Sequence, residues 1–449
     1  MRKLYILNEY YKREFHSNLL LAVEAASENY EVYLGTMDHY KGLINKNLIK
    51  PGIFHTKSVT HDLKKSNLNK LLKKKGFKLT IHDQEHGILE NDYKSFCRTR
   101  ISRNDLKYFD AFFCWGKFDY YFLRKNFKIY KKKFYLTGSP RVDLWKNNEI
   151  ISKDKINFKK KYILVITNFS TSNNLITFKK VLKKASKAGY YKRYPNALIE
   201  DLNFHKYQKK LMNEYIKMIK KLSHKYPKKE IIIRPHPTEN AKYWEMKFLN
   251  YKNVFVHHDG LLSSLISKAE LIIQSGCTSS IESFIGKKKI INYLPVDKNQ
   301  KIGAFVKKIS KNIFNLNDLI SFIENPKSTA LLKGKNDLND RTLYLKNEYA
   351  VKEIVKIYSK FTQINSEKNS DFNIFFQINF IDRIKYLLKY FVIFLLNKKR
   401  IIDIIEHKYF NISNREIESS IKIFKKILKI KKKIRFKKFS NKFIKIYLN

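Results

Sequence analysis

The sequence predicts an α/β protein made of two Rossmann-like, doubly wound domains, followed by a basic α-helical C-terminal region. Three observations predict it. Short apolar runs alternate with helix-like segments over residues 1–330, the pattern of βαβ units and a parallel sheet. The alternation breaks once, at a polar stretch without apolar periodicity, and then restarts. Beyond about residue 360, Gly and Pro vanish and basic amphipathic segments take over.

In the first domain (1–150), Leu4 to Leu7 reads as the opening strand and Ser17 to Glu28 as the first helix, with Ser17 a candidate cap. Strand-like runs recur at Tyr30 to Leu34, Lys78 to Ile81, Asp110 to Trp115 and Lys133 to Thr137, with a helix-like segment from Asp119 to Asn126. Residues 151–161 read as a linker. The second domain (162–330) restarts with Tyr162-Ile-Leu-Val-Ile-Thr167 and a long helix-like segment from about Asn203 to His224. Strands are expected at Glu230 to Arg234, Asn253 to His257, Leu271 to Gln274 and Lys289 to Tyr293, with helices at Leu261 to Lys268 and Ser279 to Ile285. The C-terminal region (331–449) is expected to add helices at Asp382 to Leu396, Arg400 to His407 and Arg415 to Phe439, and no further strand.

The 449 residues carry 92 Lys and Arg against 40 Asp and Glu, a formal charge of +52. Such a surplus attracts anionic partners, whether membrane surface or nucleic acid. Lys, Ile, Asn, Phe and Tyr richness of the kind an AT-rich gene produces accounts for much of it. It accounts less well for residues 421–449, where twelve Lys or Arg meet no Asp or Glu. Those basic segments are candidates for contact with an anionic membrane. No zinc, KH-type or RRM-type signature accompanies the charge, so nucleic acid is not the expected partner. No signal peptide precedes the Leu4 strand, and the longest apolar stretch, Tyr390 to Leu396, is too short to span a bilayer. Cys97, Cys114 and Cys277 are odd in number and lack metal spacing, which fits a reduced cytoplasmic setting.

Four segments carry the chemistry. In Ile231-Ile-Ile-Arg-Pro-His-Pro237, two prolines restrict the chain at a strand exit and fix where Arg234 and His236 point. Arg234 offers a phosphate paired hydrogen bonds and His236 offers one more. In Gln274-Ser-Gly-Cys-Thr-Ser-Ser-Ile-Glu282, Gly276 permits close backbone approach, and Ser275, Thr278, Ser279 and Ser280 bring hydroxyls to a helix start where a phosphate can bind. The same Ser279-x-x-Glu282 spacing matches a capping box, so self-capping is the competing reading; Glu282 is alternatively a ribose ligand. His82-Asp-Gln-Glu-His-Gly87 sets two carboxylates and two imidazoles beside a strand end, the makings of a general base, or of a polar βα loop. Thr137-Gly-Ser-Pro-Arg-Val-Asp143 makes a turn in which Arg141 and Asp143 are placed to pair as a brace.

Together these segments resemble bacterial surface carbohydrate biosynthesis proteins of the GT-B glycosyltransferase type. Arg234-Pro-His-Pro237 resembles the HP motif, and Thr278-Ser-Ser280 the serine motif, of CMP-sialic acid and Kdo transferases. CDP-glycerol glycerophosphotransferases carry similar segments. The resemblance covers about residues 1–330. It implies two domains facing a cleft, an acceptor side in the first and a nucleotide-donor side in the second. It also implies that His236 contacts the donor phosphate with Ser279 or Ser280, and that an acidic residue of the first domain is the base. The related pattern has two acidic residues before Gly; here His86 replaces the second, which leaves Asp83, Glu85 and His86 as candidates with Glu85 foremost.

The implied activity is inverting, metal-independent transfer of a Kdo- or nonulosonate-like sugar from a nucleotide donor, CMP-linked, to a surface polysaccharide or lipopolysaccharide. No cofactor and no metal are expected, and the chain contains no Asp-x-Asp pair. Cytoplasmic location, peripheral on the inner face of the inner membrane, follows from such an acceptor. The competing readings are a CDP-glycerol-type glycerophosphotransferase and a non-enzymatic basic protein that binds membrane or nucleic acid.

Overall fold

The computed structural model describes residues 1–9, 11–59, 61, 63–83, 93–148, 161–187, 189–258, 260–296, 304–325, 335–361, 369–396 and 413–449. The chain divides into two compact units, Met1–Ile150 with Asn336–Asn449, and Ile151–Lys335. Each is a Rossmann-like α/β unit around its own sheet.

The first unit holds strands β1 (Arg2–Leu7), β2 (Tyr30–Gly35), β3 (Ile53–Thr56), β4 (Lys78–His82), β5 (Ala111–Cys114) and β6 (Phe134–Leu136). The second holds β7 (Tyr162–Ile166), β8 (Ile231–Arg234), β9 (Val254–Val256), β10 (Ala269–Gln274), β11 (Lys289–Tyr293) and β12 (Lys311–Ile313). Strands β13 (Ile434–Ser440) and β14 (Phe443–Leu448) close the chain and return to the first unit. Its sheet runs β13-β14-β2-β1-β3-β4-β5-β6, parallel through β1–β6 and antiparallel where β14 joins β2. The second sheet runs β12-β11-β10-β7-β8-β9 and is parallel throughout.

Both sheets are apolar because helices cover both faces of a parallel sheet. β1, β2, β7 and β8 are buried at nearly every position. The long helix Ala197–Lys225 lays Leu211, Met212, Tyr215, Met218, Ile219 and Leu222 on the second sheet, the i, i+3, i+4 pattern of one face. Within residues 1–330, two strands have no counterpart in the sequence expectation. β3 is four residues long and carries two polar residues, His55 and Thr56, and β12 is three long. In β3, His55 Nδ1 meets the hydroxyls of Thr80 (3.0 Å) and Tyr358 (2.9 Å). Burial lowers its pKa to about 3, so the ring is neutral and behaves as a satisfied core residue.

The C-terminal region corrects the expectation most. The helix expected from Arg415 to Phe439 is a shorter helix, Asn414–Leu428, followed by the β13–β14 hairpin. Lys429 takes a left-handed φ of 59°, and the Ile430 N–H returns to the Lys425 carbonyl (2.9 Å), which ends the helix. After it, Ile434-Arg-Phe436 alternates with period two, a strand pattern that the lysines obscure. The helix expected from Asp382 begins earlier and spans Asp371–Leu396; the one expected at Arg400 to His407 lies outside the described residues.

These C-terminal elements are part of the first core. Ile374, Ile378, Phe439 and Phe443 pack in one cluster with Tyr5, Tyr33, Tyr40 and Phe54. Lys445 of β14 is buried between Glu31 (2.9 Å) and Asp371 (3.2 Å). The turn after β6 also serves this docking. Asp143 does not pair with Arg141, which stacks over Trp145 (4.9 Å). Instead Asp143 accepts from the Val351 N–H (3.0 Å) at the start of helix Ala350–Tyr358 and pairs with Lys146 (3.4 Å). Gly138 holds a φ of 78°, and a Cβ at Gly116 would collide with the Asp340 carbonyl at 2.3 Å.

Glu24, on the helix His16–Ser27, is buried with one carboxylate oxygen lacking a hydrogen-bond partner. Burial pushes its pKa up from 4.5 to about 7. A folded-state value above the unfolded one means that its contribution is fully present below about pH 4.5 and is lost as pH rises through about 7. Glu24→Gln is therefore expected to stabilise the protein by roughly 1–3 kcal/mol at pH 8. Urea unfolding at pH 5 should show that gain largely gone; an equal gain at both pH values would refute the assignment.

Candidate functional site

In the second sheet the chain runs outward from β7 through β8 to β9, then returns to start β10 on the other side of β7. Beyond the carboxyl ends of β7 and β10 lies the point where strand order reverses, which is where open α/β sheets bind ligands. Three loops border that edge: the one after β7, Pro235–Asn240 after β8, and Ser275–Thr278 after β10.

One side chain organises the first two. Glu239 is fully buried. Its carboxylate accepts from Thr167 Oγ1 (2.9 and 3.0 Å), the Phe169 N–H (2.9 Å), the His236 N–H (3.1 Å) and Trp244 Nε1 (2.9 Å). Burial raises its pKa, while those donors pull the other way. Backbone bonds from Leu175 to Thr238 (3.2 Å) and from Asn240 to Asn173 (2.8 Å) lock the loops together. Sequence reasoning passed over Glu239, because a single Glu in a polar loop looks solvated. Its signal was position, three residues beyond His236 and five before Trp244.

The expected donor residues separate into two groups. His236 is half-buried, and its Nδ1 accepts from the Thr238 N–H (3.3 Å) and stands 2.8 Å from the Thr238 hydroxyl. The neutral ring therefore carries its proton on Nε2, as a directed donor. Thr278 is exposed and Ser275 half-buried at the loop surface. The others turn inward. Arg234 donates to the carbonyls of His257 (3.1 Å) and Gly260 (2.8 Å), which braces the loop after β9. Ser280 donates to the Cys277 carbonyl (2.7 Å), and Ser279 lies against the Cys277 thiol. Glu282 receives the Ser263 hydroxyl from the neighbouring helix Leu262–Lys268. The capping box is not formed: the helix Ser279–Ile285 starts from Thr278 without a side-chain cap.

Gln274 shapes the turn between β10 and that helix. Its Oε1 accepts from the N–H groups of Gly276 (2.6 Å) and Cys277 (2.7 Å). Gly276 takes a φ of 90°, a conformation that favours glycine. Behind Gln274, Asn292 and Asn312 continue a row of amides across the strand ends (2.9 Å between them).

At the carboxyl edge of the first sheet, Asp83 follows β4 and is held by Arg100 through two contacts (3.1 and 2.9 Å). Its carbonyl accepts from Trp115 Nε1 (2.9 Å), whose ring stacks on His82 at 5.5 Å. Glu85 and His86 lie outside the described residues. Strand order in this sheet reverses beside β1 and β3, and sequence reasoning missed the groups there. Lys57, after β3, pairs with Glu14 (2.8 Å) and Glu9 (2.7 Å) from the segment after β1. Burial opposes the Lys57 charge, but Glu14 and Glu9 outweigh it and raise its pKa; Lys57 in turn outweighs burial at Glu14 and lowers that pKa. Among the described residues, no three His, Cys, Asp or Glu side chains gather as a metal site.

No protein-family model matches the chain, and no curated protein matches it. Solved structures do. The wall teichoic acid polymerase TagF is similar at 12% identity and a TM-score of 0.51, over 80% of this chain and 88% of that one. UDP-GlcNAc 2-epimerases from Neisseria meningitidis (13% identity, TM-score 0.49) and Methanocaldococcus jannaschii (16% identity, TM-score 0.49) are each covered completely by 80% of this chain. At such identities the likeness is one of fold, the GT-B-like pairing of two Rossmann-like domains.

Glu239→Ala removes the common acceptor of four donors and leaves Trp244 Nε1 buried without a partner. The expected cost is about 2–4 kcal/mol. Denaturation followed by tryptophan fluorescence checks it; a loss below about 1 kcal/mol would mean that the loops do not depend on this carboxylate.

Proposed function

We propose that the chain is an inverting glycosyltransferase that moves a Kdo- or nonulosonate-like sugar from a CMP-linked donor to a surface polysaccharide or lipopolysaccharide acceptor. One observation carries the reading: His236, its tautomer fixed by Thr238 and its backbone held by buried Glu239, stands on a loop beside the strand-order reversal of the second sheet. A neutral imidazole with its proton on Nε2 suits an anionic phosphate oxygen. The hydroxyls of Ser275 and Thr278 border the same edge, with Ser279, Ser280 and Glu282 shaping the helix start behind them. Arg234 acts here by holding the loop after β9.

In the proposed reaction, the Glu85 carboxylate takes the proton from the acceptor hydroxyl. The hydroxyl oxygen bonds to the anomeric carbon as the bond from that carbon to the donor phosphate oxygen breaks. The electron pair leaves with the CMP, where the His236 Nε2–H and the hydroxyl loop stabilise it. Asp83, clamped by Arg100, stands two residues before Glu85 in the sequence. No metal is needed where protein donors meet the leaving charge. The basic surplus draws in the anionic donor, and a glycolipid acceptor places the enzyme on the cytoplasmic face of the inner membrane, in contact with its anionic surface.

A second reading uses the same loops for a different bond. A glycerophosphotransferase breaks the pyrophosphate of CDP-glycerol and also releases CMP, so His236 would serve both. The polymerase with the same fold keeps this reading in view. Incubation with CMP-Kdo, CMP-sialic acid and CDP-glycerol, followed by CMP release and by the fate of the sugar or glycerol phosphate, separates the two. The expected result is CMP release from a CMP-sugar, about 10²- to 10³-fold slower in His236→Ala and in Glu85→Gln. Turnover of CDP-glycerol alone would transfer the assignment to the second reading. With no donor turned over and no nucleotide bound, the enzyme assignment fails.

A further inference from the structure

The helix Asp371–Leu396 has two apolar faces, and the first unit uses only one. On the inner face, Ile374 and Ile378 are fully buried in the core. Ile381 lies so close to Gly42 that a Cβ there would approach it to 2.4 Å, and Asp382 bonds His39 Nε2 (2.9 Å). The outer face carries Phe372 (76% exposed), Phe376 (67%), Phe380, Ile384, Leu387 (67%) and Phe391 (59%). Steps of three and four residues align these into one stripe, about 29 Å long at 1.5 Å per residue. Folded monomers seldom leave so long an apolar strip open to water unless it meets something.

The surroundings indicate what it meets. Lys46 stands over the Phe380 ring at 5.5 Å. On β13, which packs beside this helix, Arg435 and Lys437 are exposed, and the segment 421–449 that contains it has no acidic residue. An apolar stripe bordered by cations fits the boundary between the acyl chains and headgroups of an anionic bilayer. A second copy of the chain fits poorly, since it would bring +52 charges against +52. Among the described residues no helix is long and apolar enough to cross a membrane, so the helix would lie in the plane of the surface.

We propose that the outer face of Asp371–Leu396 is a membrane-docking surface. It inserts Phe372, Phe376, Phe380, Ile384, Leu387 and Phe391 among lipids while Arg435 and Lys437 meet anionic headgroups. This rests on the membrane-surface part of the proposed function and is independent of the donor. It also relocates the contact. The basic segment 415–439 supplies cations, but the insertion comes from an aromatic face in front of it. Removing residues 370–449 is not a usable test, because it would strip Ile374, Ile378, Phe439 and Phe443 from the core.

The full chain should be sedimented with vesicles of phosphatidylcholine alone and with about a third phosphatidylglycerol. Strong binding to the anionic vesicles only is expected. Phe376→Ser with Leu387→Ser, both on the exposed face, should weaken it at least tenfold with an unchanged melting temperature and unchanged donor hydrolysis. Arg435→Glu with Lys437→Glu should remove the preference for anionic lipid. Wild-type vesicle binding in the serine variant would overturn the proposal, as would a lipid-free dimer that the serine substitutions dissolve. Donor hydrolysis reads the nucleotide site separately, so vesicle binding without hydrolysis counts against the transferase and not against this surface.

Discussion

A buried carboxylate without a nearby cation is costly unless donors surround it, and Glu239 is surrounded. Its oxygens collect a hydroxyl, two backbone N–H groups and an indole from three separate stretches of chain. The consequences reach in two directions. Toward the core, Trp244 is fixed against Phe169 and Phe248. Toward the surface, the backbone N–H of His236 is tied down, so the imidazole projects from a rigid base. Pro235 and Pro237 remove backbone freedom on either side, and Glu239 removes what remains. The hydroxyl loop after β10 is set in the same way by Gln274, again a buried polar side chain whose partners are backbone N–H groups. Each loop therefore has its backbone held by a buried polar side chain.

The first unit is held by a different constraint, closure of its sheet by the far end of the chain. β14 pairs with β2 from Phe443↔Gly35 to Ile446↔Val32, across some four hundred residues of sequence. That pairing covers the edge of β2, and the Phe443 ring fills the space over Gly35, where a Cβ would come within 2.3 Å. Asp143, Lys146 and Tyr358 add polar ties between the first 150 residues and the segment after 335. Contacts of such high sequence separation are slow to form, because closure entropy comes due before the contacts exist.

What could be read from the sequence follows from how locally each feature is encoded. The doubly wound fold was legible because Tyr162-Ile-Leu-Val-Ile166 and Ile231-Ile-Ile233 are apolar runs that only a sheet covered on both faces accepts. The Arg-Pro-His-Pro segment was legible as a strand exit because prolines there are a local signal. β3 was not, since His55 becomes a core residue only through Thr80 and Tyr358, which lie far away in sequence. The terminal hairpin was hidden because lysines dominate its composition while Phe439, Phe443 and Ile446 supply its buried contacts. The capping reading of Glu282 fails because the spacing that makes a capping box also allows a bond to Ser263 on the next helix, and tertiary packing decides between them. Glu239 and the Glu9–Glu14–Lys57 cluster escaped for the same reason: their meaning lies in partners, not in pattern.

The distribution of acidic residues explains how a chain of such net charge stays compact. With 40 carboxylates for 92 cations, most cations have no partner of their own, and self-repulsion works against the folded state. Many carboxylates instead sit where one serves several groups or a buried cation. Glu14 holds Lys57 and Arg13, Asp371 meets Lys437 and Lys445, Asp83 clamps Arg100, and Glu239 has no cation at all. Interior order is therefore maintained by few acids at high local value, while the exterior stays basic. Surface repulsion of this kind weakens with ionic strength, whereas buried pairs are screened far less. Salt and anionic surfaces then act alike on this protein: both relieve the exterior without disturbing the interior ion pairs. On a helix that exposes an apolar stripe beside cations, contact with an anionic surface would gain that relief and the burial of apolar surface together.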